Sequence, residues 1–380
     1  MAERKRSANI ELLRIIAMAM VVVLHFFKYS GYLPNTEMAV AGESLSALNY
    51  VAIVLESLCI VAVNVYILIS GYFGGESKWR PSKLFSFLGQ IWFYTLLIPV
   101  VLYCFGKPIL PETEGVYGIA KYVFPIGTSH FWFVTCYFQL LLLMPILNLA
   151  VKTITQKQLT IVLVCLLLTF CGIKTLCPIE LVTDKYGYDI IWFICLYLTG
   201  AWLHSLGESV LTFMKNKALL IYVGSSVVMG LAIIIFYHVT GLFSGAQYYF
   251  SVPWHYNYLF CLTGAIGLFF LFMNLRIKEG QIADLIRKIA QYCFGVYLFH
   301  EHLDMNDLWY PFFKGIMNPL QQESIVMLFL ELFVCLVVLY GAGLCIDFIR
   351  TVLFAALSRC MKNTIVARKM KELDEIFASN

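Results

Sequence analysis

The segment IELLRIIAMAMVVVLHFF, residues 10–27, decides the fold. It is almost wholly apolar over nearly the roughly 20 residues that a helix needs to cross a bilayer. A backbone in lipid must satisfy its own hydrogen bonds, so we predict a membrane-spanning helix despite the β-branched run at residues 21–23. Three ionisable residues interrupt the segment, namely Glu11, Arg14 and His25.

The composition of the whole chain agrees with a membrane protein. Of 380 residues, 61% are hydrophobic and 13% charged, and the mean hydropathy is +0.80. Soluble domains have about 45–50% apolar and about 25% charged residues. A net charge of +4 on so apolar a chain excludes a nucleic-acid-binding surface. The sequence therefore predicts an all-α integral membrane protein.

About ten apolar stretches are long enough to be spanning helices. They cover residues 10–27, 50–73, 84–105, 131–151, 159–177, 189–206, 218–238, 254–273, 289–303 and 325–349. We predict a ten-helix membrane domain over residues 1–356. A short basic and then acidic cytoplasmic tail, either solvated or lying on the membrane surface, is predicted over residues 357–380.

The distribution of Lys and Arg predicts the orientation. Twenty of the 27 basic residues fall on the side of the membrane that holds the N-terminus, and six fall on the other side. Cytoplasmic loops carry the excess of positive charge in membrane proteins. Both termini are therefore predicted to be cytoplasmic, which requires an even number of spans.

The ionisable residues of the first span are predicted to share one helix face. Arg14 and His25 are 11 residues apart, which is about three turns plus 20° and about 16 Å along the axis. Glu11 lies three residues before Arg14 and can pair with it. This polar stripe suggests an anionic ligand that enters from the cytoplasm and a proton-transfer group deeper in the membrane. The alternative is that Arg14 and His25 snorkel to opposite interfaces.

The histidines do not form a metal-binding motif. His300 and His302 lie about 200° apart around a helix, so one metal ion cannot easily bind both. The sequence has no CxxC motif. We therefore predict neither a bound metal nor a bound cofactor.

Four motifs resemble those of the membrane-bound acyltransferase 3 family. The first is similar to its Arg-x10-His signature, and the others to its Ser-Gly run, its aromatic entry to the fourth helix and its late Tyr-Leu-x-His motif. They lie at Glu11–Ala17 with Leu24-His25, at Val63–Phe73, at His130–Phe133 with Pro145, and at Gly295–His300. The resemblance covers essentially the whole chain.

The resemblance implies an enzyme of a bacterial inner (plasma) membrane. Such an enzyme moves an acyl group from an acyl-coenzyme A, most simply acetyl-coenzyme A, to a hydroxyl of a cell-surface or lipid-linked glycan. Succinyl or another short acyl group, the glycan and its hydroxyl stay open. The implied partners are this donor, the glycan, membrane lipid and a separate acyl-relay or glycan-assembly protein.

The resemblance also implies roles for individual residues. His25 would take the proton from the attacking hydroxyl or carry the acyl group itself. Arg14, held by Glu11, would orient the donor or stabilise negative charge. The basic pair after the second helix appears here as Arg80 and Lys83, which would bind the phosphates of coenzyme A. The candidates for the acceptor region are Trp132, Tyr297 and His300.

Alternatives remain for these residues and for the protein. An aromatic residue near a span end, such as Trp132, is more often an anchor in the membrane interface. His300 is at least equally expected as part of a hydrated helix end. An exporter or flippase for glycans is the second functional class, and a membrane scaffold is the third. Only the enzyme requires an acyl-coenzyme A, so dependence on the donor distinguishes the three classes.

Overall fold

The fold is built from α-helices. The computed structural model describes residues 6–75, 79–128, 130–176, 182, 185–243, 246–317 and 324–378. Those ranges contain no β-strand. The helices are α1 Ala8–Ser30, α2 Thr36–Ala41, α3 Ala47–Cys59, α4 Ala62–Gly74, α5 Pro81–Cys104, α6 Leu110–Glu114, α7 Val116–Val123, α8 Trp132–Thr153, α9 Gln156–Leu167, α10 Ile173–Leu176, α11 Ile190–His204, α12 Glu208–Leu242, α13 Gln247–Ser251, α14 Leu259–Met273, α15 Gln281–Ala290, α16 Cys293–His300, α17 Asn306–Met317, α18 Ile325–Met361 and α19 Ile365–Ala378.

Within the described ranges, eight helical segments are long and apolar enough to cross a membrane. They are Ala8–Ser30, Ala47–Gly74, Pro81–Cys104, Trp132–Thr153, Gln156–Leu176, Glu208–Leu242, Gln247–Met273 and Ile325–Met361. The predicted class, an all-α integral membrane protein, is therefore confirmed. The shorter apolar helix α11 lies at another predicted span, and α15 and α16 lie at the predicted ninth span. The total of ten spans and the cytoplasmic termini stay predictions.

Two predicted spans are interrupted in the structure. The stretch 50–73 divides into α3 and α4. The stretch 289–303 contains the last two residues of α15, a break at 291–292 and then α16, which ends at His300. With 8 residues, α16 is about 12 Å long and does not cross a bilayer by itself. Its last residue, His300, is fully buried. The end of α16 therefore places a polar side chain inside the bundle.

Helix α1 is an interior helix. Its most apolar stretch is 67% buried within the protein, whereas that of the peripheral helix α8 is 17% buried. Helices α3, α4, α14, α15, α16 and α18 all pack against it. The side chains of Glu11 and His25 are therefore largely surrounded by protein rather than lipid, which removes much of the cost of placing charge in a membrane.

Glycines allow α4 and α11 to approach at backbone distance. A Cβ atom at Gly71 would lie 2.1 Å from the carbonyl oxygen of Tyr197, and one at Gly200 would lie 2.5 Å from that of Leu68. No side chain fits at either position. This contact fixes α4 against α11.

The C-terminal segment is helical and packs against the start of α5. Helix α18 continues past the predicted domain boundary at residue 356, and α19 follows it. The ring of Phe377 lies 4.6 Å from that of Trp79. The Ser82 N–H in the first turn of α5 donates to Asp374 Oδ1 at 2.9 Å. Residues 379–380 of the predicted tail lie outside the described residues.

Candidate active site

A cavity of about 730 Å³ follows one side of α1. Helices α1, α4, α5, α8 and α16 supply most of its lining. The charged side chains of the lining lie toward the N-terminal end of α1, and aromatic rings surround the deeper part near His25. The cavity therefore connects the side of the bundle that is predicted to be cytoplasmic with an imidazole inside the bundle.

The polar stripe of α1 forms one wall of this cavity. Glu11, Arg14 and His25 all line it, in the order that their spacing predicts. Arg14 donates to Glu11 Oε1 within an ion pair. Arg6 Nη1 lies 3.9 Å from Glu11 Oε2, and Glu11 is 1% exposed. The buried carboxylate therefore holds the Arg14 guanidinium at the charged end of the cavity.

Two tyrosines fix the backbone of α1 at the same level. The Tyr66 hydroxyl in α4 donates to the carbonyl oxygen of Arg14 at 2.6 Å. The Tyr340 hydroxyl in α18 donates to that of Ile15 at 2.9 Å. Both α4 and α18 are thus tied to the turn that carries Arg14, which limits movement of the guanidinium.

His25 is hydrogen-bonded to His300, and the bond defines its tautomer. His300 Nδ1 lies 2.6 Å from the carbonyl oxygen of Val296, which only accepts, so Nδ1 carries the proton. His300 Nε2 is then an acceptor, and it lies 2.8 Å from His25 Nδ1. His25 therefore donates through Nδ1 and keeps a lone pair on Nε2. A neutral His25 is thereby arranged as a general base.

A carboxylate lies beside the free nitrogen of His25. Glu301 Oε2 is 3.4 Å from His25 Nε2 and 3.6 Å from Lys28 Nζ. The Tyr29 hydroxyl donates to Glu301 Oε1 at 3.3 Å. A carboxylate in this position stabilises the imidazolium that forms when Nε2 accepts a proton. It lies at the nitrogen that takes the proton, whereas the carboxylate of a serine hydrolase triad contacts the opposite ring nitrogen.

The same three residues are also the candidate metal ligands of the described residues. One ligand atom each from His25, His300 and Glu301 lies within 4.8 Å of the other two. The lone pair of His300 Nε2 is used by His25, however, and Lys28 already supplies a cation to Glu301. These contacts suit proton transfer better than metal binding.

The other predicted site residues separate into two groups. Lys83, Trp132 and Tyr297 line the cavity with the stripe of α1, and His300 lies behind His25. Arg80 is outside the cavity lining, at the exposed N-cap of α5. All the predicted site residues except Arg80 and His300 thus line the cavity, and His300 is hydrogen-bonded to His25, which lines it.

Trp132 lies in the interior of the bundle. Its ring centroid is 4.3 Å from that of Tyr188 and 5.5 Å from that of Tyr256. The Tyr297 ring, which is 6% exposed, lies 5.7 Å from Phe131. Trp132, Tyr256 and Tyr297 line the cavity, so its deep end has an aromatic lining.

Three polar residues near the cavity were not assigned to the site from the sequence. Glu301 was not expected to contact His25, and Gln90 and Asp347 were not singled out. The sequence feature that could have indicated Asp347 is its position as an acidic residue inside the predicted span 325–349. Its partner Gln90 is 257 positions away, so no local pattern indicated the pair.

The comparisons with known proteins identify the family. The Acyl_transf_3 model, described as an acyltransferase domain, matches residues 7–346. Neither a curated protein nor a solved structure matches the chain significantly. Because the family match covers nearly the whole chain, the protein belongs to the acyltransferase 3 family and is a multi-pass membrane acyltransferase.

Proposed function

We propose that the protein transfers a short acyl group, most simply acetyl, from acyl-coenzyme A to a hydroxyl of a cell-surface or lipid-linked glycan, at a bacterial inner membrane. The observation that carries the proposal is the position of His25, whose Nε2 keeps a lone pair at the deep end of a cavity with cationic side chains at its other end. Such a cavity suits a long anionic donor whose reactive thioester lies far from its phosphates.

The charged end of the cavity fits the phosphates of the donor. Arg14 and Lys83 supply cations inside the cavity and Arg6 supplies one at its mouth. Arg80 lies one helical turn before Lys83 on the exposed start of α5, where it meets the outer phosphates. A guanidinium binds phosphate with paired hydrogen bonds, whereas Lys83 acts as a point charge.

The proposed reaction is direct transfer. His25 Nε2 takes the proton from the acceptor hydroxyl while its oxygen bonds to the thioester carbonyl carbon. The carbon–sulfur bond then breaks, and His25 returns the proton to the coenzyme A thiolate. His300 holds the required tautomer, and Glu301 stabilises the intermediate imidazolium. The products are the glycan ester and coenzyme A, so no net proton is released.

The experiment compares cell-surface glycans from cells with the intact gene, a deletion, His25→Ala and His238→Ala. His238 is an exposed histidine of α12 and is the matched control. Alkali-labile esters are measured by mass spectrometry, and protein levels by immunoblot. We expect esters with the intact protein and with His238→Ala only.

Two results would contradict the proposal. Unchanged esters in His25→Ala, at normal protein level, would remove His25 from the reaction. Loss of the glycan itself from the surface of the deletion strain would show that the protein is required before esterification.

A further inference from the structure

A buried carboxylate connects α5 to α18 beside the cavity. Asp347 is fully buried. It accepts hydrogen bonds from Arg350 Nε at 2.7 Å and Arg350 Nη2 at 2.9 Å, from the Tyr94 hydroxyl at 3.1 Å and from Gln90 Nε2 at 2.9 Å. Of these three donor residues, Gln90 also lines the cavity. The network thus fixes the side chain of Gln90, which lines the cavity.

The network defines which end of the Gln90 amide faces the cavity. An ionised carboxylate only accepts hydrogen bonds, so the NH₂ group of Gln90 must point toward Asp347. The carbonyl oxygen Oε1 is the other end, and no hydrogen bond within the described part of the chain engages it. The cavity wall therefore presents an oriented acceptor.

Gln90 lies between the charged end and the deep end of the cavity. Lys83 and Gln90 are seven residues apart on α5, which places them on one face and about 10 Å apart along the axis. Phe87 lies between them and stacks on Phe294 at 5.5 Å. Toward the deep end of the cavity, Gly295 in α16 packs against Asp347. His300 follows five residues later in α16, about 8 Å farther along the helix axis.

A coenzyme A thioester has a defined chemistry at this intermediate depth. Its phosphates lie at one end, its thioester at the other, and the pantetheine arm between them carries two amide N–H donors. An apolar ring followed by a fixed carbonyl acceptor is complementary to that arm. A plain alkyl chain would leave the acceptor without a hydrogen bond.

We propose that Gln90 selects the donor by accepting a hydrogen bond from a pantetheine amide N–H through Oε1, and that Asp347 is a positioning residue that keeps this oxygen toward the cavity. The inference rests on the proposed function, because it takes an acyl-coenzyme A as the donor. It adds an interaction with the middle of the donor to the contacts with its phosphates.

The test measures binding to the purified full-length protein in nanodiscs by calorimetry. The two probes are acetyl-coenzyme A and adenosine 3′,5′-bisphosphate, which has phosphates but no pantetheine. For Gln90→Met we expect the Kd for acetyl-coenzyme A to rise about tenfold, the loss typical of one neutral hydrogen bond. The Kd for the bisphosphate should stay unchanged.

Tyr94→Phe is the matched control, because it also removes a donor to Asp347 but lies outside the cavity lining. It should leave both Kd values unchanged. Asp347→Asn lets the Gln90 amide rotate and should weaken acetyl-coenzyme A binding by a smaller factor. The double variant Asp347→Asn with Gln90→Met should bind no more weakly than Gln90→Met alone, since both changes remove the same interaction.

The outcomes separate this inference from the proposed function. If the unaltered protein does not bind acetyl-coenzyme A, the proposed donor is wrong. If it binds and Gln90→Met binds equally well, or loses both probes equally, the role of Gln90 is wrong. If Gln90→Met does not fold, an acetyl-coenzyme A analogue with N-methylated pantetheine amides replaces it. Equal binding of that analogue to the unaltered protein would overturn the inference.

Discussion

His25 Nδ1 lies 2.8 Å from His300 Nε2, although the two residues are 275 positions apart in the chain. The contact joins the first helix to the short helix α16, whose own carbonyl oxygen at Val296 defines the proton on His300. The basicity of His25 Nε2 therefore depends on a residue that does not itself line the cavity. This dependence gives His300 a role that substitution can test.

Replacement of His300 by alanine should lower acyl transfer by about a hundredfold, within the range for a misplaced general base. His300→Gln should retain most of the activity, because its side-chain oxygen can accept the same hydrogen bond from His25 Nδ1. The measurement is the ester content of the glycan at equal protein level. Equal loss in both variants would contradict the role of His300 as the hydrogen-bond acceptor for His25 Nδ1.

Replacement of Glu301 by glutamine should lower the rate of transfer by about tenfold or more, because the His25 imidazolium loses its neighbouring negative charge. Lys28→Met is the comparison, since Lys28 contacts the same carboxylate from an exposed position. Loss of an exposed ion pair has little energetic effect, so this variant should stay within about twofold. A larger effect of Lys28→Met than of Glu301→Gln would contradict the assigned role of the carboxylate.

The stripe on α1 could be predicted from sequence because it depends on the geometry of a single helix. Arg14 and His25 share a face by spacing alone, and Glu11 reaches Arg14 within one turn. The contact of His25 with His300 depends instead on how α16 ends inside the bundle. The sequence indicated a polar cluster at His300 but not which helix it would face.

The break within the predicted span 289–303 was not predictable for a related reason. Its residues are apolar enough to suggest a continuous helix, and nothing local marks the interruption between α15 and α16. Just after the break, Gly295 packs closely on Asp347 of α18, a contact that no local sequence pattern indicates. Trp132 illustrates the same limit, because a span-end aromatic is expected at the interface, whereas this ring lines the cavity, stacks on Tyr256 and is tilted against Tyr188.

Asp304 should make stability depend on pH. It accepts hydrogen bonds from the Tyr122 hydroxyl at 2.6 Å and from the Leu110 N–H at 2.8 Å, which tie α6 and α7 to the turn after α16. Burial raises the pKa of Asp304 above its ordinary value of 3.8. The folded protein thus holds this proton more tightly than the unfolded chain, so stability should fall as the pH rises above 3.8 toward the raised value.

Two variants separate the charge of Asp304 from its hydrogen bonds. Asp304→Asn has no titrating group and should lack this step in a plot of Tm against pH. Asp304→Ala should destabilise the protein by about 1–3 kcal/mol, because the Tyr122 hydroxyl and the Leu110 N–H both lose an acceptor. An unchanged pH profile in Asp304→Asn would rule out Asp304 as the source of the step.

A pair of glycine substitutions tests the packing that positions the cavity wall. In Gly71→Ala the new methyl group would meet the carbonyl oxygen of Tyr197 at 2.1 Å, and backbone atoms cannot move aside locally. We expect a loss of about 3 kcal/mol or more in the free energy of unfolding, with separation of α4 from α11.

Gly224→Ala in α12 is the control, because no atom lies within 4 Å of its added Cβ. Alanine favours a helix over glycine by about 1 kcal/mol, so this variant should be as stable as the unaltered protein or more stable. Thermal unfolding in detergent measures both, and equal Tm values for the two variants would contradict the close approach of α4 and α11.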